Sequence, residues 1–284
     1  MRTLVHLSDL HFGRVDAALV APLIKHIHAL CPDLVVVSGD LTQRARSVEF
    51  IQAQEFLAAL PMPQLVVPGN HDIPMHNPLR RFIDPLKKYQ RYICATLQPT
   101  FSDSEIAVVG INTARSFTIK DGRINEAQLA DVDSFWRSVD PAVTKIVVTH
   151  HPFDLPGAVD PQKLIDRATH LMPMLTDLKV DLLLAGHHHV AHSANTAANY
   201  PRLRQAALVI QAGTATSTRG RGEANSFNVI RIDRHQITVE RHDWMPTSTQ
   251  FQVATTSDFF RDDAGWMPRK VEETEQIGRF RSGQ

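Results

Sequence analysis

The chain has almost no cysteine. Cys31 and Cys94 are the only two in 284 residues, which excludes a disulfide scaffold and a Cys-rich zinc module and suits a reducing compartment. It has no excess of either charge. Thirty Lys and Arg stand against thirty Asp and Glu, so no net field draws the chain to duplex DNA or anionic lipid, and nucleic acid is not the expected partner. No apolar run reaches the roughly 18 residues of a membrane-spanning helix, and there is neither an internal repeat nor a low-complexity tract. The first apolar stretch runs straight into Asp9 and His11 with no small-residue cleavage site, so it reads as a strand and not a signal peptide. The expectation is a cytoplasmic protein without a transmembrane segment. What is plentiful is histidine. There are fifteen, and because imidazole is both the commonest metal ligand and the side chain that titrates nearest neutrality, their positions need an explanation.

Short Val, Ile and Leu runs at Thr3–Leu7, Leu34–Val37, Leu65–Val67, Ile106–Ile111, Lys145–Val148 and Asp181–Leu184 predict buried strands. Between them lie segments of helical spacing. Leu19, Val20, Leu23, Ile24, Ile27 and Leu30 form one stripe, and Phe50, Ile51, Phe56, Leu57 and Leu60 another. Further helices are expected around Leu79–Leu97, Glu126–Arg137 and Gln162–Leu178. Strand alternating with helix is the rhythm of an α/β fold. Beyond residue 205 the pattern turns to strands, Ala207–Gln211, Ser226–Ile232 and Gln236–Arg241, which predicts an antiparallel edge or a second sheet. The expected organisation is one domain over 1–243, with a helical cap inserted at 74–98, followed by a C-terminal extension over 244–284. For the tail aromatics Phe259, Phe260 and Trp266 two readings stay open, packing on the protein's own core or a homodimer contact.

The polar residues of interest follow the strands directly. One strand ends Ser8-Asp9-Leu10-His11, the next Ser38-Gly39-Asp40, the third Pro68-Gly69-Asn70-His71-Asp72; later endings are Thr149-His150-His151-Pro152 and Gly186-His187-His188-His189. In open α/β sheets ligands bind outside the carboxyl ends of the strands, so five such endings should converge. Asp9 to Asp40 is 31 residues and Asp40 to Asn70 is 30, about the length of a βαβ unit, which sets these endings on one edge. Gly39, Gly69 and Gly186 are expected to allow the sharp turns that aim the donors inward. Asp9, His11, Asp40, Asn70, His150, His187 and His189 offer oxygen and nitrogen donors without a thiolate, a set that suits Mn or Fe, with Zn, Co and Ni as alternatives. Seven donors exceed one tetrahedral ion. They suit two divalent ions sharing a carboxylate, Asp40, and such a pair clamps a phosphate and supplies a nucleophile near neutral pH.

The blocks Asp9-Leu10-His11, Gly39-Asp40, Gly69-Asn70-His71-Asp72, His150 and Gly186-His187-His188-His189, in this order, resemble those of the calcineurin-like metallophosphoesterases. Within that family the sequence is most similar to the bacterial class III cyclic-nucleotide phosphodiesterases, through Ser8-Asp9-Leu10-His11-Phe12-Gly13, Ser38-Gly39-Asp40-Leu41-Thr42 and Thr149-His150-His151-Pro152. The resemblance implies a four-layer α/β/β/α sandwich of two mixed sheets with the metal site at the carboxyl ends of the strands. It implies that Asp9, His11, Asp40 and His189 hold one ion and Asp40, Asn70, His150 and His187 the other. His71 takes the place of the family's catalytic histidine, with Asn70 beside it to stabilise charge; Asp72 either orients His71 or caps the following turn.

His76, Asn112 and His188 are candidates for substrate contact, and His151 and His192 lie close enough in sequence to the motifs to support the ligands. His6 is expected to be an interior hydrogen-bonded histidine, and His26 and His28 exposed ones. The basic residues Arg80, Arg81, Lys87, Lys88 and Arg91 read as a solvated face, or as a cap that meets an anionic substrate or a lipid headgroup at the membrane periphery; Arg219 and Arg221, on a Gly-containing turn between late strands, read first as a surface hairpin and second as a contact to phosphate. The substrate implied by the resemblance is a small phosphodiester, first a 3',5'-cyclic nucleotide such as cAMP. The alternatives are a nucleotide-linked lipid precursor, cleaved by a pyrophosphatase or phosphodiesterase, and a metal-binding scaffold without catalysis.

Overall fold

A computed structural model describes residues 1–75, 78–116, 122–155, 164–166, 168–219 and 222–269. The apolar runs form a first sheet from β1 (Arg2–Leu7), β2 (Leu34–Val37) and β3 (Gln64–Val66), crossed by α1 (Ala17–Leu30) and α2 (Ser47–Ala58). The chain continues through α3 (Pro78–Ile83) and α4 (Lys87–Tyr92) to β4 (Thr100–Ser102), β5 (Ile106–Gly110), α5 (Glu126–Arg137), β6 (Thr144–Val148), α6 (Ala168–Asp177) and β7 (Leu182–Ala185). It ends in β8 (His192–Asn195), β9 (Leu208–Gln211), β10 (Ser226–Ile232), β11 (Gln236–Met245), β12 (Gln250–Asp262) and β13 (Gly265–Pro268). One sheet runs β13-β12-β11-β10-β1-β2-β3, the other β4-β5-β6-β7-β9-β8. The first three strands pair in parallel, as do β5, β6, β7 and β9, and the remaining pairs are antiparallel.

Alternation of side chains across each strand divides the interior into three cores. Leu4, Leu34 and Val36 meet Ile106, Val108, Ile146 and Leu184 between the two sheets. Val5, Leu7 and Val35 point the other way, onto Leu23 and Ile27 of α1 and Phe50, Ala53 and Phe56 of α2. Ala107, Val109 and Val147 pack on Leu129, Val132 and Trp136 of α5 and Leu171 and Met172 of α6. Helices, sheet, sheet, helices is the expected order of layers. Local signals begin and end the helices: Asp16 accepts from the Ala18 amide at the start of α1, and Asn125 and Gln128 form a reciprocal capping box on α5. The helical segment expected at Leu79–Leu97 is two short helices, because Pro85 cannot continue the first. Ile51, placed on the buried stripe by its spacing, is 40% exposed.

The end of the described chain is built into the sandwich. β11 crosses residue 243, and β12 and β13 extend the same sheet. Phe259 and Trp266 are buried in the core between the sheets, whereas Phe260 lies outside under the Arg269 guanidinium. The Trp266 indole N–H donates to Asp181 Oδ1 (3.0 Å), and its backbone bonds Ala206, so β13 ties one sheet to the other. Trp266→Ala is expected to cost about 3–5 kcal/mol through lost burial and a residual cavity. Reversible unfolding in urea measures this, and a loss under about 1 kcal/mol would show that the indole does not hold the sheets together.

Candidate metal centre

The first three strands and the second sheet's β6 and β7 deliver their polar endings to one place. Asp9 and His11 follow β1, Asp40 follows β2, Asn70 and His71 follow β3, His150 follows β6, and His187 and His189 follow β7. Three groups of donors form, Asp9 with His11 and His189, Asp9 with Asp40 and His150, and His150 with His151 and His187. In the first, His189 Nε2 lies 3.2 Å from Asp9 Oδ1 and 3.2 Å from His11 Nε2. In the second, His150 Nε2 is 3.4 Å from Asp40 Oδ2, 3.1 Å from Asn70 Oδ1 and 3.3 Å from His187 Nδ1. Asp40 Oδ2 also lies 3.7 Å from His11 Nε2, so Asp40 as well as Asp9 reaches from the first group to the second. All seven predicted donors therefore meet, and Asp40 stands between the two sets.

The backbone that aims these donors is unusual. Asp9, His11, Asp40, His187 and His189 all have positive φ, between 49° and 75°, in a region that non-glycine residues visit rarely. Such conformations cost about 1–3 kcal/mol each and persist only where surrounding bonds over-determine them. Those bonds are present: Asp9 N to Gly39 O, His11 N to Asp40 O, His187 N to Asp9 Oδ2 and the Thr214 hydroxyl to Asp9 O. The glycines do different jobs from one another. Gly39 has φ 94° and makes a turn, while Gly69 lacks positive φ and is required because a Cβ there would sit 2.2 Å from Asp40 Oδ1. Gly69→Ala is expected to cost about 1–3 kcal/mol of overpacking and to displace Asp40; thermal unfolding and metal content read the two effects, and an unchanged pair would refute the contact.

Hydrogen bonds behind the donors select tautomers. His150 Nδ1 bonds the Ser38 carbonyl (2.8 Å) and His189 Nδ1 bonds the Arg219 carbonyl (3.2 Å), which leaves both Nε2 atoms facing the cluster. Asp9 Oδ2 accepts from the Ser8 hydroxyl and the His187 amide, but Asp9 Oδ1, fully buried, has no hydrogen bond. A buried carboxylate oxygen without a donor, ringed by imidazole nitrogens, is chemistry that fits a cation. Burial works to protonate Asp9, yet the His11 and His189 imidazoles beside Oδ1, at 3.6 and 3.2 Å, hold it well below the usual carboxylate range. Asp40 is likewise buried and likewise depressed, by the His150 charge above all. Burial lowers the His150 pKa, but Asp40 outweighs it and raises His150 to about 9, while burial and the His150 charge push His187 down to about 3. The pocket is a negative one, balanced by positive charge on its own histidines.

The remaining expectations fall in different places. His71 is half-buried, its Nδ1 bonding the Gln43 carbonyl (2.9 Å) and its ring edge-on to His11 at 5.0 Å. Asp72 does not touch the His71 ring; it accepts from the Leu41, Thr42 and Gly69 amides and the Thr42 hydroxyl, which makes it the cap of the loop. Burial and the Asp40 charge raise it to about 6. The Asn112 amide oxygen accepts from Ala114 N, a local turn, and His188 packs its ring 4.9 Å from His187. His76 lies outside the described residues, as does Arg221. His151 is buried with Nδ1 on the Thr113 hydroxyl (2.7 Å) and its ring 4.5 Å from His187. His6 bonds the Ser38 hydroxyl as an interior histidine does, but His26, expected to be exposed, bonds His242 at 3.0 Å. Arg219 departs from its first reading. It is not on a surface hairpin: Nη1 lies 3.0 Å from His71 Nε2. Arg219 belongs to the loop after β9, a parallel neighbour of β7 whose carboxyl end faces the same edge.

A model of the calcineurin-like phosphoesterases matches residues 2–191. The chain belongs to this family. Among relatives of this calcineurin-like phosphoesterase, glycerophosphodiester phosphodiesterase GpdQ of Enterobacter lignolyticus is 40% identical over 80 residues, 24% of this chain and 29% of that one. A probable cyclic nucleotide phosphodiesterase of Synechococcus is 24% identical over 204 residues, 66% of this chain and 74% of its own. The 3',5'-cyclic adenosine monophosphate phosphodiesterase CpdA of Escherichia coli is 27% identical over 176 residues, 61% and 59% of the two chains. The match thus spans under a third of GpdQ and under two thirds of CpdA. In fold, the chain is similar to purple acid phosphatase PPD1 of yellow lupin, with TM-score 0.68 at 14% identity over 92% of this chain and 54% of that one. It is also similar to a dimetal phosphatase of Danio rerio, with TM-score 0.63 at 15% identity over 89% and 98%.

Proposed function

We propose that the protein is a cytoplasmic phosphodiesterase that depends on two divalent metal ions, Mn or Fe in first place, and hydrolyses a small phosphodiester, with a 3',5'-cyclic nucleotide such as cAMP as the first substrate. The observation that carries this reading is the position of Asp40 Oδ2, 3.4 Å from His150 Nε2 and 3.7 Å from His11 Nε2, the place of a carboxylate shared by two ions. Asp9, His11, Asp40 and His189 would hold one ion and Asp40, Asn70, His150 and His187 the other. Two bound ions supply Lewis acidity toward a phosphoryl group and a nucleophile at neutral pH. The chain's own residues do the rest. Asn70 and His71, side by side after β3, present an amide and an imidazole to the charge that develops on the phosphoryl oxygens, and His71 Nε2 carries a proton to the departing alkoxide. The Gln43 carbonyl, bonded to Nδ1, holds that ring in place.

One observation favours a larger substrate. A cavity of about 440 Å³ is lined by Pro74, Ile83, Lys87, Lys88, Arg91 and Tyr92, beginning three residues after His71. Cations and apolar groups in one cavity suit a nucleotide-linked lipid precursor. A panel of cyclic nucleotides, glycerophosphodiesters, nucleotide-diphospho lipids and single-stranded DNA, assayed with manganese, separates the two. cAMP turned over with the highest kcat/KM supports the first reading; preference for the lipid substrates replaces it with the second, and no turnover with both metals bound leaves a scaffold.

A further inference from the structure

We infer that the Arg219 guanidinium is a ligand for the phosphoryl group, binding a non-bridging oxygen beside His71; the inference rests on the phosphodiesterase reading above. Arg219 touches both His71 and the metal centre. Its Nη1 donates to His71 Nε2 at 3.0 Å, and its carbonyl accepts from His189 Nδ1 at 3.2 Å. The loop that carries it is held before any substrate arrives. The Thr214 and Thr216 hydroxyls bond the carbonyls of Asp9 and Leu10, the Thr218 amide bonds Arg14, and Asn225 bonds the Ser217 carbonyl.

Among the described residues no carboxylate pairs with Arg219, and Asp9 and Asp40, the buried carboxylates of the centre, are turned toward histidines. An imidazole nitrogen occupies one of the five N–H donors of a guanidinium and matches none of its forked geometry, whereas a phosphate oxygen pair matches both charge and fork. Because His71 Nε2 and Arg219 Nη1 are 3.0 Å apart, a single phosphoryl group that reaches one reaches the other. Arg219 would then give up its bond to His71 as the substrate takes its place, which frees the Nε2 lone pair to take up the proton released when water becomes the nucleophile and to pass it to the leaving oxygen. Hydrolysis converts a diester with one negative charge into a monoester with two, so the same guanidinium holds the product more firmly than the substrate.

The test uses the full-length, manganese-loaded protein and inorganic phosphate as the probe, titrated calorimetrically into the native chain, Arg219→Ala and Arg219→Lys. The expected result is that Arg219→Ala weakens phosphate binding about 10- to 100-fold, the worth of a charge-assisted hydrogen bond, and raises KM for bis-p-nitrophenyl phosphate more than it lowers kcat. Metal content stays native, since the carbonyl that holds His189 belongs to the backbone. Arg219→Lys, a point charge without the fork, falls between. Phosphate affinity in Arg219→Ala within a few-fold of native, with both metals bound, overturns the assignment; so does loss of metal, which would make Arg219 a support for His189 alone. A native protein that binds phosphate yet hydrolyses no diester defeats the phosphodiesterase reading, and the phosphate titration still decides Arg219.

Discussion

Asp40→Asn is expected to fold normally and to lose both metal ions together. Asparagine tolerates the left-handed backbone that Asp40 adopts, with φ 52°, and retains an oxygen for the His71 amide, 2.8 Å away. What it removes is the negative charge between His11 and His150. Breaking a buried charge pair costs about 3–5 kcal/mol, which is roughly 10²–10⁴-fold in affinity, and a shared carboxylate passes that cost to both sites. Alanine is the poorer probe, because it adds the strain of an L-residue with a bare Cβ at positive φ. Metal analysis after dialysis, with the thermal midpoint of the metal-free protein as the check on folding, gives the readout. If one ion stays at native affinity, Asp40 serves a single site and the sharing is wrong.

His71→Ala is expected to keep both ions and to lose about 10²–10⁴-fold in kcat, the range for a positioned proton donor. The two losses differ in kind. No metal depends on the His71 ring, whose nitrogens face the Gln43 carbonyl and Arg219, so metal content separates this variant from Asp40→Asn. The chemistry predicts a second signature. A p-nitrophenolate leaves without help, so bis-p-nitrophenyl phosphate should lose less than an alkyl diester, which must be protonated as it departs. Equal losses on both substrates would assign His71 to charge stabilisation alone, and full activity would remove it from the mechanism.

The sequence made the donors legible because each is an ending of a strand with an unmistakable apolar run. Leu34–Val37 before Asp40 and Leu182–Ala185 before His187 are buried throughout, so neither the strand nor its exit was ambiguous. Arg219 was read first as a surface hairpin for the opposite reason. It stands in a polar loop well past β9, and only the pairing of β9 beside β7, which places that loop at the centre, gives it meaning. β12 escaped notice because Gln252, Ala254, Thr255 and Thr256 face solvent and leave no alternation to read. The five left-handed backbones were equally hidden. Asp and His carry no mark of φ in their names, and the purpose assigned to Gly69, a turn, proved to be room for a neighbouring carboxylate.

The place of β1 sets an order on the making of this protein. β1 leaves the ribosome before the other strands described, and the loop that follows it carries Asp9 and His11, yet in its sheet it lies between β2 and β10, and β10 begins only at Ser226. Its partner on one side is therefore ready early and on the other very late. Until most of the chain has been synthesised, the strand that launches the metal-binding residues has an open flank, and the loop after β9 that bonds Asp9 and Leu10 does not yet exist. The pocket around Asp9 is therefore closed only after that late loop has been made.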